Sequence, residues 1–140
     1  MDLYMLLYRT FHAQRKQLRP YMAQLGLSPG QPKILMYVSN HEGCMQKEAA
    51  ESCDIEPATI SRMIDTLEKG GFVKRVIPKN NRRAGNLYLT EKGEESYQLW
   101  KAHCLEVEQE MLTGFSEQEK EQVTEYLSRI YRNLSGCDAL

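Results

Sequence analysis

The segment from residue 45 to 90 constrains the fold of this chain most strongly. It orders two short helical patterns, a tight turn between them, a Gly-Gly stop and two strand-like runs joined by a basic loop. The first helix is predicted over residues 46–53, and the turn 54–56 leads to Pro57. Proline suits the first position of a helix, because the N–H that it lacks has no intrahelical partner there. This order indicates a helix-turn-helix followed by a β-hairpin wing.

The second helix of this pair is amphipathic. Apolar residues at positions 60, 63, 64 and 67 recur at helical spacing and predict its buried face. The opposite face is predicted to be exposed, and it carries Ala58, Thr59, Ser61, Arg62, Asp65 and Thr66. A small, polar surface with one arginine lets a helix enter a major groove about 12 Å wide and reach base edges. We therefore expect Thr59, Ser61 and Arg62 to read bases.

The wing is predicted from a β-rich run at 72–77 and an alternating run at 86–90. Glycines 70 and 71 end the preceding helix, and one of them is expected in the left-handed conformation. Between the strands lies the tip Pro-Lys-Asn-Asn-Arg-Arg-Ala-Gly, residues 78–85. A narrow ribbon with basic residues at its tip is suited to a minor groove, where negative potential attracts arginine.

Basic charge is concentrated in this part of the chain. Residues 56–92 hold eight Lys/Arg against four Asp/Glu, whereas residues 93–140 hold four against ten, within a net charge of −1. Such a distribution is typical of a protein with one face toward a polyanion. We expect the wing arginines, Arg82 and Arg83, to enter the minor groove. Phosphate contacts, which position a protein without specifying sequence, are expected from Lys74, Arg75 and Lys79.

Long helices are predicted on both sides of this segment. Residues 3–25 carry a Leu-, Tyr- and Phe-rich stripe ending at Gly26, and Ser28, Pro29 and Gln31 resemble the capped start of the next helix. Thr90 is expected to cap a helix that continues to about residue 113. A capping box at 116–119 opens a last helix with a broad apolar face. A terminal helix with so much apolar surface is expected to be buried against something.

Several classes of protein are disfavoured. No stretch approaches the roughly 20 apolar residues of a membrane helix, and the apolar N-terminus lacks a basic leader and a cleavage site. The four cysteines form no CxxC pair, which favours reduced thiols in the cytoplasm. The scattered Cys and His residues form no recognisable catalytic or zinc pattern. We therefore expect neither an enzyme nor a metal protein, and no cofactor.

The chain resembles the MarR family of transcriptional regulators. The resemblance lies in the run Pro-Ala-Thr-Ile-Ser-Arg-Met-Ile-Asp-Thr-Leu-Glu-Lys-Gly-Gly-Phe-Val-Lys-Arg at 57–75 and in Asn-Arg-Arg and Leu-Tyr-Leu-Thr-Glu-Lys-Gly within 81–93. It implies a mainly α fold with a small β-hairpin wing, in a single domain. Residues 28–92 would be the DNA-binding lobe, with 1–27 and 93–140 as dimerisation helices. The family's wing reads Asp-x-Arg; here Asn81 stands in place of the acid that supports Arg83.

The resemblance also implies a homodimer that binds double-stranded DNA at a pseudo-palindromic operator, as a repressor released by a small phenolic or aromatic effector. Residues that could stack a ring and meet a carboxylate, or serve only as dimer packing, are Tyr8, Phe11, His12, Arg15 and Tyr37. Peroxide-sensing relatives use a cysteine in the first helix, which this chain lacks. Two alternatives remain: a thiol-based redox regulator that uses another cysteine, and a winged-helix module that binds protein instead of DNA.

Overall fold

The computed structural model describes residues 1–77, 79 and 85–139. The chain divides into two compact units, Met1–Leu105 and Glu106–Leu140. The helices are α1 (Leu3–Gln24), α2 (Gln31–Asn40), α3 (Gln46–Ser52), α4 (Pro57–Lys69), α5 (Glu91–Met111) and α6 (Glu117–Ser135), and the strands are β1 (Cys44–Met45), β2 (Val73–Val76) and β3 (Asn86–Leu89). The predicted fold class, mainly helical with a small β wing, is confirmed.

The sheet has three strands in the order β1-β3-β2, and both pairings are antiparallel. Strands β2 and β3 form the predicted hairpin, with Val73 opposite Leu89 and Val76 opposite Asn86. Strand β1 was not predicted. Its two residues pair with the far side of β3, where Cys44 lies opposite Leu87. The wing is therefore tied at its base to the segment that leads into α3.

The core of the first unit lies beneath the helix-turn-helix. Ile60, Ile64 and Leu67, which are at most 1% exposed, carry the buried face of α4 as the spacing predicted. Met63 is half-buried and packs against the same core. On β3 the burial alternates strictly, with Leu87 and Leu89 buried and their neighbours half-buried. One face of the wing base is thus held by the same core as the helix.

Helix α2 begins two residues later than predicted. Ser28 is not its N-cap, because Gly30 takes that position with a left-handed φ of 86°, and Pro32 lies within the first turn. The Ser28 N–H donates to Gln31 Oε1 at 2.8 Å, and the Gln31 N–H donates to the Ser28 carbonyl at 3.1 Å. Ser28 and Gln31 therefore close a turn ahead of the helix. Only glycine adopts the backbone of residue 30 without strain.

The end of α4 is joined to the start of α5 by polar contacts. Gly70 caps α4 and Gly71 follows with a φ of 78°, as predicted for one of the two. Thr90 Oγ1 donates to the Gly71 carbonyl at 2.5 Å and accepts from the Gly93 N–H at 3.0 Å, so the predicted cap of α5 also holds the end of α4. Lys92 Nζ donates to the Gly70 carbonyl at 2.7 Å.

The second unit contains the C-terminal end of α5 and the whole of α6. The predicted capping box is confirmed: the Ser116 N–H donates to Glu119 Oε2 at 2.7 Å, and the Glu119 N–H donates to Ser116 Oγ at 3.2 Å. These bonds from the Ser116 backbone and side chain hold the pKa of Glu119 below its usual value. Helix α6 buries none of its residues, and Tyr126, Leu127 and Leu134 are exposed.

None of the helices in the described ranges combines the length and apolarity needed to cross a membrane.

Candidate nucleic-acid interface

Helix α4 presents a small, polar surface opposite its buried face. Thr59 and Arg62 are exposed, as predicted for base-reading residues. Ser61, the third predicted base-reading residue, is half-buried. Thr66 Oγ1 donates to the Arg62 carbonyl at 3.0 Å, one turn back along the helix. This bond occupies the threonine hydroxyl within the helix. Arg62 is flanked on this surface by the short side chains of Thr59 and Thr66. Short side chains let the helix approach a ligand closely.

Two of the basic residues that were predicted to contact phosphates are exposed in the described part of the wing. Lys74 is exposed on β2, with its Nζ 5.8 Å from the centre of the Tyr88 ring. Lys79 is exposed beyond the end of β2. Arg82 and Arg83, predicted for the minor groove, and Asn81, predicted to support them, lie outside the described residues. Their assignments stay predictions from the sequence.

Arg75 differs from the other predicted phosphate contacts, because it is held by the recognition helix. Its Nη2 lies 3.0 Å from Asp65 Oδ1, and its side chain is 23% exposed against 53% for Asp65. A Cβ on Gly85 would lie 2.6 Å from Arg75 Cγ, so the arginine stem crosses the backbone at the start of the returning strand. Arg75 thus connects α4, β2 and the base of the hairpin. No local pattern predicts this pair, since its members are ten residues apart on different elements.

Two adjoining cavities lie in the first unit, beside α1, α2 and α5. The apolar cavity, about 350 Å³, is lined by residues that include Pro32, Met36, Tyr97 and Cys104. The cationic cavity, about 460 Å³, is lined by residues that include Phe11, Arg15, Leu18 and Arg19. Both cavities are also lined by Met22, Gly30, Lys33 and Trp100.

Of the residues predicted for an effector pocket, the structure brings two into a cavity. Phe11 and Arg15 line the cationic cavity, with Arg15 Cζ 5.5 Å from the centre of the Phe11 ring. Tyr8, His12 and Tyr37 line neither cavity. The centres of the Tyr8 and His12 rings are 4.4 Å apart, and Tyr37 stacks on His41 with 4.2 Å between the ring centres. Trp100 and Lys33 were missed, because a wall built from three helices leaves no spacing pattern in any one of them.

The cysteines differ in their surroundings. Burial, reinforced by the neighbouring Glu48 carboxylate, raises the pKa of the Cys44 thiol to about 11. Burial also raises the pKa of Cys53, whose Sγ lies 3.5 Å from the Lys33 carbonyl. Cys104 is half-buried and Cys137 is exposed. Within the described ranges, no three His, Cys, Asp or Glu side chains are grouped as metal ligands would be.

The chain is similar in sequence to known regulators. The model of the MarR family matches residues 27–84. The HTH-type transcriptional regulator YybA of Bacillus subtilis is 30% identical over 110 residues, which cover 79% of this chain and 73% of that protein.

Solved structures extend the similarity to nearly the whole chain. The transcriptional regulator SlyA superposes with a TM-score of 0.87 at 29% identity, covering 97% of this chain and 96% of the other. The transcriptional repressor CouR, solved with a 23-mer DNA duplex, superposes with a TM-score of 0.84 at 23% identity, covering 94% and 93%. At 23% identity, the similarity to CouR supports a shared fold alone.

Proposed function

The chain belongs to the MarR family of transcriptional regulators, and from this premise we propose that it is a homodimeric repressor. It binds double-stranded DNA in the cytoplasm through two winged helix-turn-helix lobes. The observation that carries the proposal is the surface of α4, where Thr59 and Arg62 are exposed opposite an apolar face whose Ile60, Ile64 and Leu67 are buried.

Sequence reading is assigned to the N-terminal half of α4. Thr59 and Ser61 have short side chains that allow close approach to base edges, and Arg62 is long enough to donate two hydrogen bonds to a guanine in the major groove. In the helix-turn-helix geometry it is the first turns of the second helix that contact bases. Ser61 is the least exposed of the three. We assign it the smallest share of the specificity.

Backbone contacts are assigned to the wing. Lys74 and Lys79 are exposed and would neutralise phosphates, so affinity is expected to fall steeply as salt rises. Arg82 and Arg83 are proposed for the minor groove on the basis of the sequence. Arg75 is proposed to position the wing on α4 through Asp65, in addition to any phosphate that it meets.

Dimerisation is assigned to α1 and α6, residues within the ranges 1–27 and 93–140. On α1 the apolar side chains of Leu3, Leu6 and Phe11 are each at least half exposed. On α6 Leu127 and Leu134 are 48% and 83% exposed. Exposed apolar side chains along one helix favour a protein partner. A second copy of the chain would bury the exposed apolar side chains of both helices. The two copies of α4 would then read two half-sites about 34–36 Å apart.

Repression is proposed to end when a small-molecule effector binds beside α1 and α2. The two cavities described above support this part of the proposal, because they lie in the same unit as α4. Ligand sites are usually concave, largely apolar and furnished with a few polar groups. The cavities have this character.

Selection of bound sequences from a random duplex pool tests the proposed function. We expect a palindromic consensus, bound by the dimer in a gel-shift titration. Arg62→Ala should relax the consensus at one position of each half-site and weaken binding by about 1–3 kcal/mol. Lys69→Ala, at the exposed C-terminal end of the same helix, is the matched control and should leave the consensus unchanged. Failure to retain any duplex at low salt would instead favour the protein-binding module.

A further inference from the structure

The C-terminal cap of the recognition helix α4 accepts a hydrogen bond from α5. Gly70 is the cap residue, and its carbonyl receives Lys92 Nζ at 2.7 Å. Carbonyls at the C-terminal end of a helix lack intrahelical donors and carry partial negative charge, so a cation is favoured there. Lys92 is the second residue of α5 and is exposed. Its hydrogen bond therefore connects the recognition helix to the helix that follows the wing.

Lys92 has contacts along its stem as well as at its ammonium group. A Cβ on Gly71 would lie 3.9 Å from Lys92 Cδ, so the stem passes over the residue that follows the cap. The Nζ atom is 4.5 Å from the centre of the Phe72 ring, within the range of a cation–π contact. The ammonium group thus has two partners, a helix-end carbonyl and an aromatic ring, which restrict it more than an ordinary exposed lysine.

The aromatic partner is itself held in place. Phe72 is 5% exposed and belongs to the core of the first unit. A Cβ on Gly70 would lie 2.9 Å from Phe72 Cδ2 and Cε2, and a Cβ on Gly26 would lie 3.9 Å from Phe72 Cζ. The ring therefore lies against the end of α4 and reaches the turn after α1. Since Phe72 immediately precedes β2, its position also affects the base of the wing.

Thr90 and Lys92 contact three successive carbonyls. Thr90 Oγ1 lies 2.5 Å from the Gly71 carbonyl oxygen and 3.2 Å from that of Phe72, and Lys92 Nζ donates to Gly70. Thr90 also accepts from an N–H in the first turn of α5, so its replacement would remove the cap of α5. Lys92 can be replaced without removing that cap. Its role at the end of α4 can therefore be measured separately.

Building on the proposed function, we propose that Lys92 is a positioning residue for operator recognition, which fixes the C-terminal end of α4 without contacting DNA. Helix α4 has 13 residues and is about 20 Å long. A tilt at its C-terminal end therefore displaces Arg62 from the base that it reads. Hydrogen bonds to base edges are directional and lose strength when their geometry changes, whereas phosphate contacts carry no sequence information.

Anisotropy titrations of the full-length protein test the proposal, with the selected operator and a random duplex of equal length at several salt concentrations. Lys92→Gln should weaken operator binding on the order of threefold to tenfold. It should leave both the affinity for the random duplex and the salt dependence unchanged. Lys92→Arg, which keeps a cation and donors at this position, should retain most of the operator affinity. Unchanged operator affinity in Lys92→Gln would overturn the proposal.

Two further lysine variants separate positioning from phosphate binding and from net charge. Lys74→Gln removes an exposed lysine assigned to phosphates. It should weaken both duplexes and reduce the slope of log K against log salt by about one. Lys101→Gln removes the same charge from an exposed position further along α5 and should leave operator affinity unchanged. If Lys92→Gln behaves like Lys74→Gln, or Lys101→Gln like Lys92→Gln, the positioning role is overturned.

Hydrogen exchange of the DNA-free protein distinguishes this proposal from the proposed function. The N–H groups of Gly70, Gly71 and Phe72 donate to carbonyls in the last turns of α4. Exchange of peptides over residues 66–73 should be about threefold to tenfold faster in Lys92→Gln and close to the parent rate in Lys92→Arg. Thermal unfolding confirms that each variant is folded.

The two measurements fail in different ways. Faster exchange at 66–73, in a protein that prefers no duplex sequence, supports Lys92 as the support of α4 and rejects the operator function. Operator preference in the parent protein, with unchanged exchange in Lys92→Gln, overturns the role of Lys92 and leaves the DNA-binding role in place.

Discussion

At the scale of single residues, Gly93 shows why the Leu-Thr-Glu-Lys-Gly run of this chain ends in glycine. A Cβ at this position would lie 1.9 Å from the Phe72 carbonyl oxygen, a backbone atom that cannot turn away. The close approach lets Thr90 reach the carbonyls of Gly71 and Phe72 and cap α5. The end of the recognition helix and the start of β2 are thereby fixed against α5.

Gly93→Ala is therefore expected to destabilise the protein by about 1–3 kcal/mol or more through overpacking. The sign is informative, because alanine is the better helix former by about 1 kcal/mol and would otherwise stabilise α5. Urea unfolding followed by circular dichroism measures the difference. In Gly114→Ala the new Cβ meets no described atom within 4 Å, so only the cost of a left-handed φ of 86° applies, about 1–2 kcal/mol. A Gly93→Ala variant as stable as the parent would contradict the contact.

The cysteines are expected to react at very different rates. With a pKa of about 11, Cys44 is almost entirely protonated at neutral pH, and Cys53 is shifted in the same direction by burial. Since the thiolate is the reactive form, labelling of Cys44 in the native protein should be slow and should accelerate as pH rises toward 11. This environment does not favour the thiol-switch alternative at Cys44 or Cys53.

Labelling with a thiol reagent at pH 7.5, resolved by mass spectrometry, checks this order. The exposed Cys137 should react first, and Cys137→Ser should remove the fast phase. Cys44 and Cys53 should react slowly in the native protein, and should reach the rate of an exposed cysteine only in denaturant. Fast native labelling of either would restore the redox alternative.

At the scale of elements, the ion pair of Asp65 and Arg75 joins the recognition helix to the wing. The two atoms are 3.0 Å apart, but Asp65 is 53% exposed, so the pair contributes little to folding, on the order of 0–1 kcal/mol. Its effect is expected in geometry, because Arg75 also lies against Gly85 at the base of the returning strand. The wing and α4 would then approach DNA as one body.

Asp65→Asn is expected to weaken operator binding about threefold to tenfold, although it removes a negative charge from the DNA-facing side. Arg75→Gln should weaken it by a similar or larger factor, and the double variant should be no weaker than Arg75→Gln, as for two members of one pair. Glu68→Gln removes the same charge from an exposed position of α4 and should leave binding unchanged or slightly stronger. Gel-shift titration at fixed salt compares the four proteins. Additive losses would show that Arg75 acts on phosphates independently of Asp65.

The elements that were predicted from sequence are those with a local cause. The spacing of Ile60, Ile64 and Leu67, the box at Ser116 and the pair of glycines at 70 and 71 each specify their own conformation, and the structure has them where they were expected. Strand β1 was missed because only its pairing with β3 defines it. The start of α2 was placed too early because the left-handed Gly30 overrides a plausible capping sequence.

The candidate site divides in the same way. Thr59 and Arg62 were found from one helix pattern, since exposure on an amphipathic helix is a local property. The ion pair of Arg75 depends on two elements meeting in space, and the cavity wall that includes Lys33 and Trp100 depends on three. No periodicity within one element reports such contacts. Of the five residues suggested for the effector, only Phe11 and Arg15 share a cavity, whereas the Tyr8 ring lies against His12 and the Tyr37 ring stacks on His41.

At the scale of the whole molecule, the proposed function requires two copies of the chain. A single basic segment on a protein with a net charge of −1 gives weak DNA binding. Pairing two segments makes the second contact intramolecular, which raises the overall affinity without any new contact. The exposed apolar side chains of α1 and α6 are surfaces that can provide this pairing.

Leu127→Glu is expected to raise the dimer dissociation constant by about tenfold to a thousandfold, since each of the two chains loses the burial of the exposed half of one leucine, about 0.7–1.5 kcal/mol, and gains a charge at the interface. Leu127 is 48% exposed in the single chain, so the fold should be retained. Sedimentation velocity over a range of concentrations measures the constant, and operator affinity should fall with it. Gln122→Glu places the same charge at another exposed position of α6 and should leave both unchanged. A Leu127→Glu protein that remains dimeric would move the interface away from α6.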